Sequence, residues 1–182
     1  MDDIYTGVQR EFYDTDKTKI KSEVFILNGK KEGEYKSYHP NGCLKNICTY
    51  FDDKLNGTYA EYHENGKIFV ICTYVYGKRN GKFRSFSSDG ELGYDISYKD
   101  GKLHGKYIVF HYNGLICEIG MYDNGYKEGE YKSYHENGKL HEIGTYENRI
   151  LKGQYRRYSE DEKLECVYSI GKKKKKWNFF CL

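Results

Sequence analysis

Six glycines, Gly33, Gly57, Gly81, Gly105, Gly129 and Gly153, stand 24 residues apart without exception. Each opens the same phrase, which reads in turn GEYKSYHPNG, GTYAEYHENG, GKFRSFSSDG, GKYIVFHYNG, GEYKSYHENG and GQYRRYSEDE. A fixed period of this size marks a repeat architecture, in which each copy packs against its neighbours rather than into one shared core. The flanks continue the pattern. Gly7 stands 26 residues before Gly33 and opens a degenerate copy with Phe12 in an aromatic position. After Gly153 the copy is two residues short; Lys175 then takes the glycine position, and Trp177 and Phe180 take the aromatic ones. The chain therefore reads as a single array over residues 1–182, of about seven copies, with a basic and aromatic end at 172–182. The eighth copy stops after one strand, which also fits a chain cut short.

Composition agrees with an array and disfavours a conventional globule. Leu, Ile, Val and Phe together supply only 38 of 182 residues, a proportion close to that of disordered chains. The 21 tyrosines and the fixed glycine interval argue against disorder. No apolar run approaches the roughly 20 residues of a membrane-spanning helix. The start, Met1-Asp2-Asp3-Ile4-Tyr5, is acidic and lacks the apolar stretch of a secretory leader.

Within a copy, positions are counted from the opening glycine as zero. Aromatic rings fall at +2 and +5, as in Tyr35 and Tyr38, Tyr59 and Tyr62, or Phe83 and Phe86. Asn-Gly or Asp-Gly follows at +8 and +9: Asn41-Gly42, Asn65-Gly66, Asp89-Gly90, Asn113-Gly114 and Asn137-Gly138. Such pairs tolerate positive φ at both centres and favour the type I′ turn of a β-hairpin. Leu or Ile comes at +11, Thr-Tyr or Ser-Tyr at +16 and +17, and often a second glycine four residues before the next copy. The expected unit is strand, tight turn, strand, loose turn. Neither helical periodicity nor interior proline interrupts this reading; the one proline, Pro40, sits beside a turn.

The expected fold is all-β: an elongated, single-layer antiparallel meander of repeated β-hairpins. Positions +2 and +5 point to opposite faces of a regular strand, and charges lie between them, so no face is purely apolar. At about 9.6 Å per copy, seven copies would make a ribbon roughly 65 Å long. Stacked rings and Leu/Ile rows would hold it, each aromatic pair adding about 0.5–1.5 kcal/mol beyond area burial. A β-propeller is a poor fit, because its blades need about 40–45 residues.

The phrase G-x-Y-x-x-Y-H-x-N-G-K-L, followed by T-Y-x-x-G-K-x-x-G, resembles the MORN repeat, and is most similar to its variant type of about 24 residues. Gly129 to Leu140, with Thr145 and Tyr146, carries it most cleanly, and the resemblance extends from about Gly7 to Phe180. Asp161-Glu162 departs from Asn-Gly, and Arg149 and Asp53 depart from the second glycine, which weakens individual turns. The resemblance implies a MORN-type open sheet and a non-enzymatic role as a docking or spacing module. Variant-type arrays also occur in antitoxin-like proteins and in large DNA viruses. The family brings no catalytic residues and no cofactor.

Residue chemistry was weighed on its own terms. His39, His63, His111 and His135 all sit at +6. Equivalent atoms in adjacent copies lie about 9.6 Å apart. A metal needs its ligands within about 2.1 Å, so the row reads as a consensus position beside the turn, with no metal site. The six cysteines form no C-x-x-C pair. Cys48 and Cys72 share position +15 and are too far apart for a disulfide, so they read as reduced and packed, which suits the cytoplasm. Recurring carboxylates on a flat sheet supply no unique catalytic constellation.

Two candidate binding features remain. The +2 row, Tyr35, Tyr59, Phe83, Tyr107, Tyr131 and Tyr155, could grip a protein partner, since Tyr adds contact area at low entropic cost. The run Lys172, Lys173, Lys174, Lys175 and Lys176, with Trp177 beside it, could meet an anionic lipid surface. Nucleic acid is the weaker reading of that run, and lysines that block pairing at a terminal strand edge are the plain one. Without these five lysines the net charge falls from +3 to −2, so the body carries no basic excess. The expected function is a non-catalytic scaffold for protein contact. Peripheral lipid binding and antitoxin-like neutralisation of a partner protein are the alternatives; no small-molecule substrate or cofactor is expected.

Overall fold

The computed structural model describes residues 5–170 and 180–181. The chain divides into two compact units, Met1–Glu91 and Leu92–Leu182. The 24-residue register runs through this boundary, since Gly81 and Gly105 keep the spacing. The first unit holds β1 (Gly7–Phe12), β2 (Ile20–Leu27), β3 (Lys30–Tyr38), β4 (Leu44–Phe51), β5 (Lys54–Tyr62), β6 (Ile68–Val75) and β7 (Lys78–Phe86). The second holds β8 (Leu92–Lys99), β9 (Lys102–Phe110), β10 (Ile116–Asp123), β11 (Tyr126–Tyr134), β12 (Leu140–Glu147), β13 (Ile150–Tyr158), β14 (Leu164–Ile170) and β15 (Phe180–Cys181). No helix occurs among the described residues. Within each unit every strand pairs antiparallel with its neighbours in sequence, as in β3 with β2 and β4, or β11 with β10 and β12. Each unit is thus a hairpin meander, in agreement with the sequence.

The turns differ from the expected order. The tight two-residue turn lies at the second-glycine end. Asn28 and Gly29 have φ of 52° and 77°, and Asp100 and Gly101 have 51° and 82°. Asp52-Asp53 and Asn148-Arg149 take the same left-handed pair of conformations without any glycine. The Asn-Gly end is instead a longer loop. At His39–Cys43, the Gly42 amide donates to the His39 carbonyl and the His39 amide to the Cys43 carbonyl, both at 2.8 Å. Only Gly42 has positive φ, at 87°. This is a type I turn closed by a left-handed glycine, the common three-residue hairpin connection. Asn41 fits it because its Oδ1 accepts the Cys43 amide at 2.9 Å, an Asx turn that needs no positive φ at the asparagine. Asp161-Glu162 keeps the same loop, with Glu162 forced to a φ of 63°.

Both ends of the hairpins are tied to the next copy. At the tight turns, the Asp53, Gly77 and Gly125 amides donate to the carbonyls of Lys31, Leu55 and Leu103 in the preceding copies, at 3.1, 2.7 and 2.8 Å. At the loop end, His39 Nε2 lies 2.9 Å from the Tyr62 carbonyl, and His63, His111 and His135 repeat the contact with Phe86, Tyr134 and Tyr158. A carbonyl can only accept, so Nε2 carries the proton. The histidine row is therefore more than a turn-flanking consensus: it links successive copies. Asn41, Asn65 and Asn113 add a second link beside it, from Nδ2 to the carbonyls of Glu64, Ser88 and Glu136.

Burial is thin, as one layer requires. No large side chain among the described residues is fully buried. The most protected positions form a row at +15, where Cys48 and Cys72 are each 4% exposed and Ile96 is 6% exposed. Gly120 and Gly144 continue the row in the second unit and are also buried. The next subsection identifies what covers it.

Candidate functional site

The register places the ring at +2 directly across from the small residue at +15 on both sides. Tyr35 pairs with Cys48, Cys48 with Tyr59, Tyr59 with Cys72, and Cys72 with Phe83. In the second unit Ile96 pairs with Tyr107, Tyr107 with Gly120, and Tyr131 with Gly144. Cross-strand partners share a face, so rings and small residues alternate along one line in each unit. A side chain at +15 must be compact because it lies between two rings. That is why a thiol or no side chain suffices, and why so thin a sheet can still bury it.

Each ring meets a second ring from position +17 of its own copy. Tyr35–Tyr50, Tyr59–Tyr74 and Tyr131–Tyr146 are edge-to-face, with centroids 5.9, 5.9 and 6.2 Å apart. Tyr107–Tyr122 and Tyr155–Tyr168 are tilted, at 5.0 and 5.6 Å. In alternate copies a cation from the next strand covers the pair. Lys31 Nζ lies 5.5 Å from the Tyr35 ring and 5.1 Å from Tyr50; Lys127 Nζ lies 3.4 Å from Tyr131. Arg79 takes the same place over Phe83 at 4.9 Å. The intervening copies carry Leu55, Leu103 and Leu151 there. This face therefore combines π surface, cations and aliphatic patches in a repeating order.

Shielding from water shows in the acidities. Desolvation raises the Tyr107 hydroxyl to about 12, with Glu118 adding to the effect. Tyr59, Tyr131 and Tyr155 are raised further still, again first by desolvation, and the Tyr59 hydroxyl donates to Glu61 at 3.1 Å. Burial pushes the Cys48 thiol up to about 11 and raises Cys72 as well. These are protonated, unreactive thiols at neutral pH.

The six ring positions singled out from sequence thus fall on one face of their own unit: Tyr35, Tyr59 and Phe83 in the first, Tyr107, Tyr131 and Tyr155 in the second. All six are half-buried. Lys172 to Lys176 and Trp177, the other candidate set, lie outside the described residues. Sequence reasoning noted the +17 tyrosines as strand residues and did not join them to the rings. The alternation of Lys/Arg with Leu ten residues before each +17 tyrosine's successor ring was not read at all, although Lys31, Arg79 and Lys127 stand 48 residues apart.

Among the described residues no group of three metal-binding side chains converges. A 620 Å³ depression beside the first hairpin is lined by Tyr13, Thr18, Ile20, Tyr38, His39 and Pro40, among others. Its histidine is committed to the Tyr62 carbonyl, and its Tyr13 hydroxyl donates to the Tyr38 carbonyl at 2.8 Å. Nothing there pairs a nucleophile with a base.

An open hairpin meander, copied in register and faced with rings, defines a repeat scaffold. Residues 31–52, 55–76 and 127–148 match the family model described as MORN repeat variant. The chain carries MORN repeats of this type, and the structure repeats their hairpin in the copies between. Among curated proteins no relative matches the chain significantly.

Proposed function

We propose that the protein is a non-catalytic scaffold that holds a protein partner along its ring face. One observation carries this reading: a half-exposed ring recurs at the same position in every copy, on one face of each unit, with a cation or a leucine over it. Repetition suits contact, since each copy adds similar surface and neighbouring contacts reinforce one another. Chemistry needs one convergent set of groups, and here the ionisable side chains recur as equivalents. Tyr, Arg and Lys-capped rings are the residue types that anchor protein interfaces. A cytoplasmic setting suits the protonated thiols.

Affinity capture with the intact chain tests it. The triple variant Tyr59→Leu, Tyr107→Leu, Tyr131→Leu, shown by far-UV circular dichroism to keep its β spectrum, should lose the captured partner. Full retention of that partner by the folded triple variant would overturn the reading. Peripheral lipid binding is a second reading, favoured by the lysine run beside Trp177. Flotation with acidic liposomes separates the two: vesicle binding abolished by Lys→Ser changes in the run would favour the lipid surface.

A further inference from the structure

The two residues that flank each tight turn, at +18 and +21, divide sharply between the units. In the first unit they pair an apolar residue with lysine three times: Leu27 with Lys30, Phe51 with Lys54, and Val75 with Lys78. In the second unit two hairpins pair an acid with an apolar residue: Asp123 with Tyr126, and Glu147 with Ile150. All of these side chains are exposed; Phe51 is 48% and Ile150 60% exposed. Phe51 lies three residues beyond Cys48, and Glu147 three beyond Gly144. Both therefore sit on the face opposite the ring row.

The chemistry is complementary and the order is reversed. Where the first unit has apolar then cation, the second has acid then apolar. Two such rows laid antiparallel bring like to like and charge to counter-charge. Phe51 meets Ile150, Lys54 meets Glu147, Val75 meets Tyr126, and Lys78 meets Asp123. The spacing matches without adjustment, because both rows advance by the same 24-residue copy. Lys30 is already held by Asp52, whereas Lys54 and Lys78 make no ion pair among the described residues, which selects this register. Asp123 lies 3.0 Å from His104 and Glu147 pairs with Lys152, yet the two acid side chains stay 58% and 54% exposed. Phe51 and Tyr76 meet edge-to-face at 6.1 Å and widen the apolar strip.

We infer that the turn-edge face of the first unit docks on the turn-edge face of the second unit of another copy of this chain. The contact is apolar at Phe51 and Val75 and is oriented by the lysine–acid pairs. It is independent of the ring-face reading and leaves that face open.

Sedimentation equilibrium of the full chain, with circular dichroism as a folding control, tests this. The wild-type chain should self-associate in a concentration-dependent way. Lys54→Glu with Lys78→Glu should weaken association by about tenfold or more, as should Asp123→Lys with Glu147→Lys. An equimolar mixture of the two double variants should associate, and the fourfold variant should regain self-association. The rescue separates charge matching from damage to the fold. A chain that remains monomeric across the concentration range, association indifferent to both double variants, or failure of both rescues would overturn the proposal.

Discussion

His63 Nε2 lies 2.9 Å from the carbonyl oxygen of Phe86, which belongs to the following copy. The bond joins a loop to a strand 23 residues away and recurs at His39, His111 and His135. A net hydrogen bond contributes about 1 kcal/mol, and leaving the carbonyl without its donor adds to the loss. His63→Ala should therefore destabilise the chain by about 1–2 kcal/mol, read as a lower urea midpoint at unchanged slope. An unchanged midpoint would mean that the link carries no stability.

The +15 row makes opposite predictions at two glycines. A methyl group added at Gly120 meets the Tyr131 ring at 3.5 Å, ordinary contact, and φ there is not left-handed. Gly120→Ala should stabilise by about 0.5–1 kcal/mol through reduced chain entropy and added packing. At Gly144 the same methyl would stand 2.8 Å from Leu151 Cδ1 and 3.1 Å from the Tyr155 ring. Gly144→Ala should destabilise by about 1 kcal/mol from overpacking. Thermal melts of the two variants decide the matter; shifts of the same sign would refute the alternating ring-and-small-residue row.

Glu162 occupies a position that its counterparts fill with glycine. Its φ of 63° costs an L-residue about 1–2 kcal/mol, and its ion pair with Lys139, at 3.5 Å, is exposed and weak. Glu162→Gly should raise stability by about 0.5–1 kcal/mol. Asp53→Gly should not, because Asp53 Oδ1 accepts the Lys31 amide at 2.7 Å and that bond would be lost.

Stability should decline in alkali. Tyr107 ionises near 10 when unfolded and near 12 when folded, and Cys48 near 9 and 11. The unfolded state thus loses protons first. Stability is fully present below about pH 9 and falls as pH rises through the folded values. Tyr59, Tyr131 and Tyr155 shift in the same direction and steepen the fall. Melting temperatures measured from pH 8 to pH 12 should drop, and Tyr107→Phe should drop less steeply. A flat profile would show that these rings are not shielded from water.

Much of the fold was legible because the period is covalent information: glycine and ring positions mark each copy directly. Cys48 and Cys72 were also placed correctly in the packed row, from their shared position alone. The turn assignment failed because Asn-Gly serves two connections. It suits a type I′ turn through two positive φ values, and also a type I turn in which only Gly42 is left-handed and Asn41 caps its own loop. Asp52-Asp53, a tight turn lacking glycine, gave no compositional warning. The histidine links were illegible for another reason: their acceptors are backbone carbonyls, which every residue has. Pairing of Tyr35 with Tyr50 required the register, which sequence spacing alone did not supply.

Excision of one whole copy tests the central claim most directly. Removing residues 57–80 joins Asn56 to Gly81 in register and restores equivalent neighbours at the junction. If copies are interchangeable units held by their neighbours, the shortened chain should keep its β spectrum and unfold cooperatively, with a smaller urea slope in proportion to its length. Removing only residues 57–68 leaves a hairpin without its second strand, and should abolish the cooperative transition. Loss of the β spectrum on in-register excision, or equal tolerance of both deletions, would contradict the account.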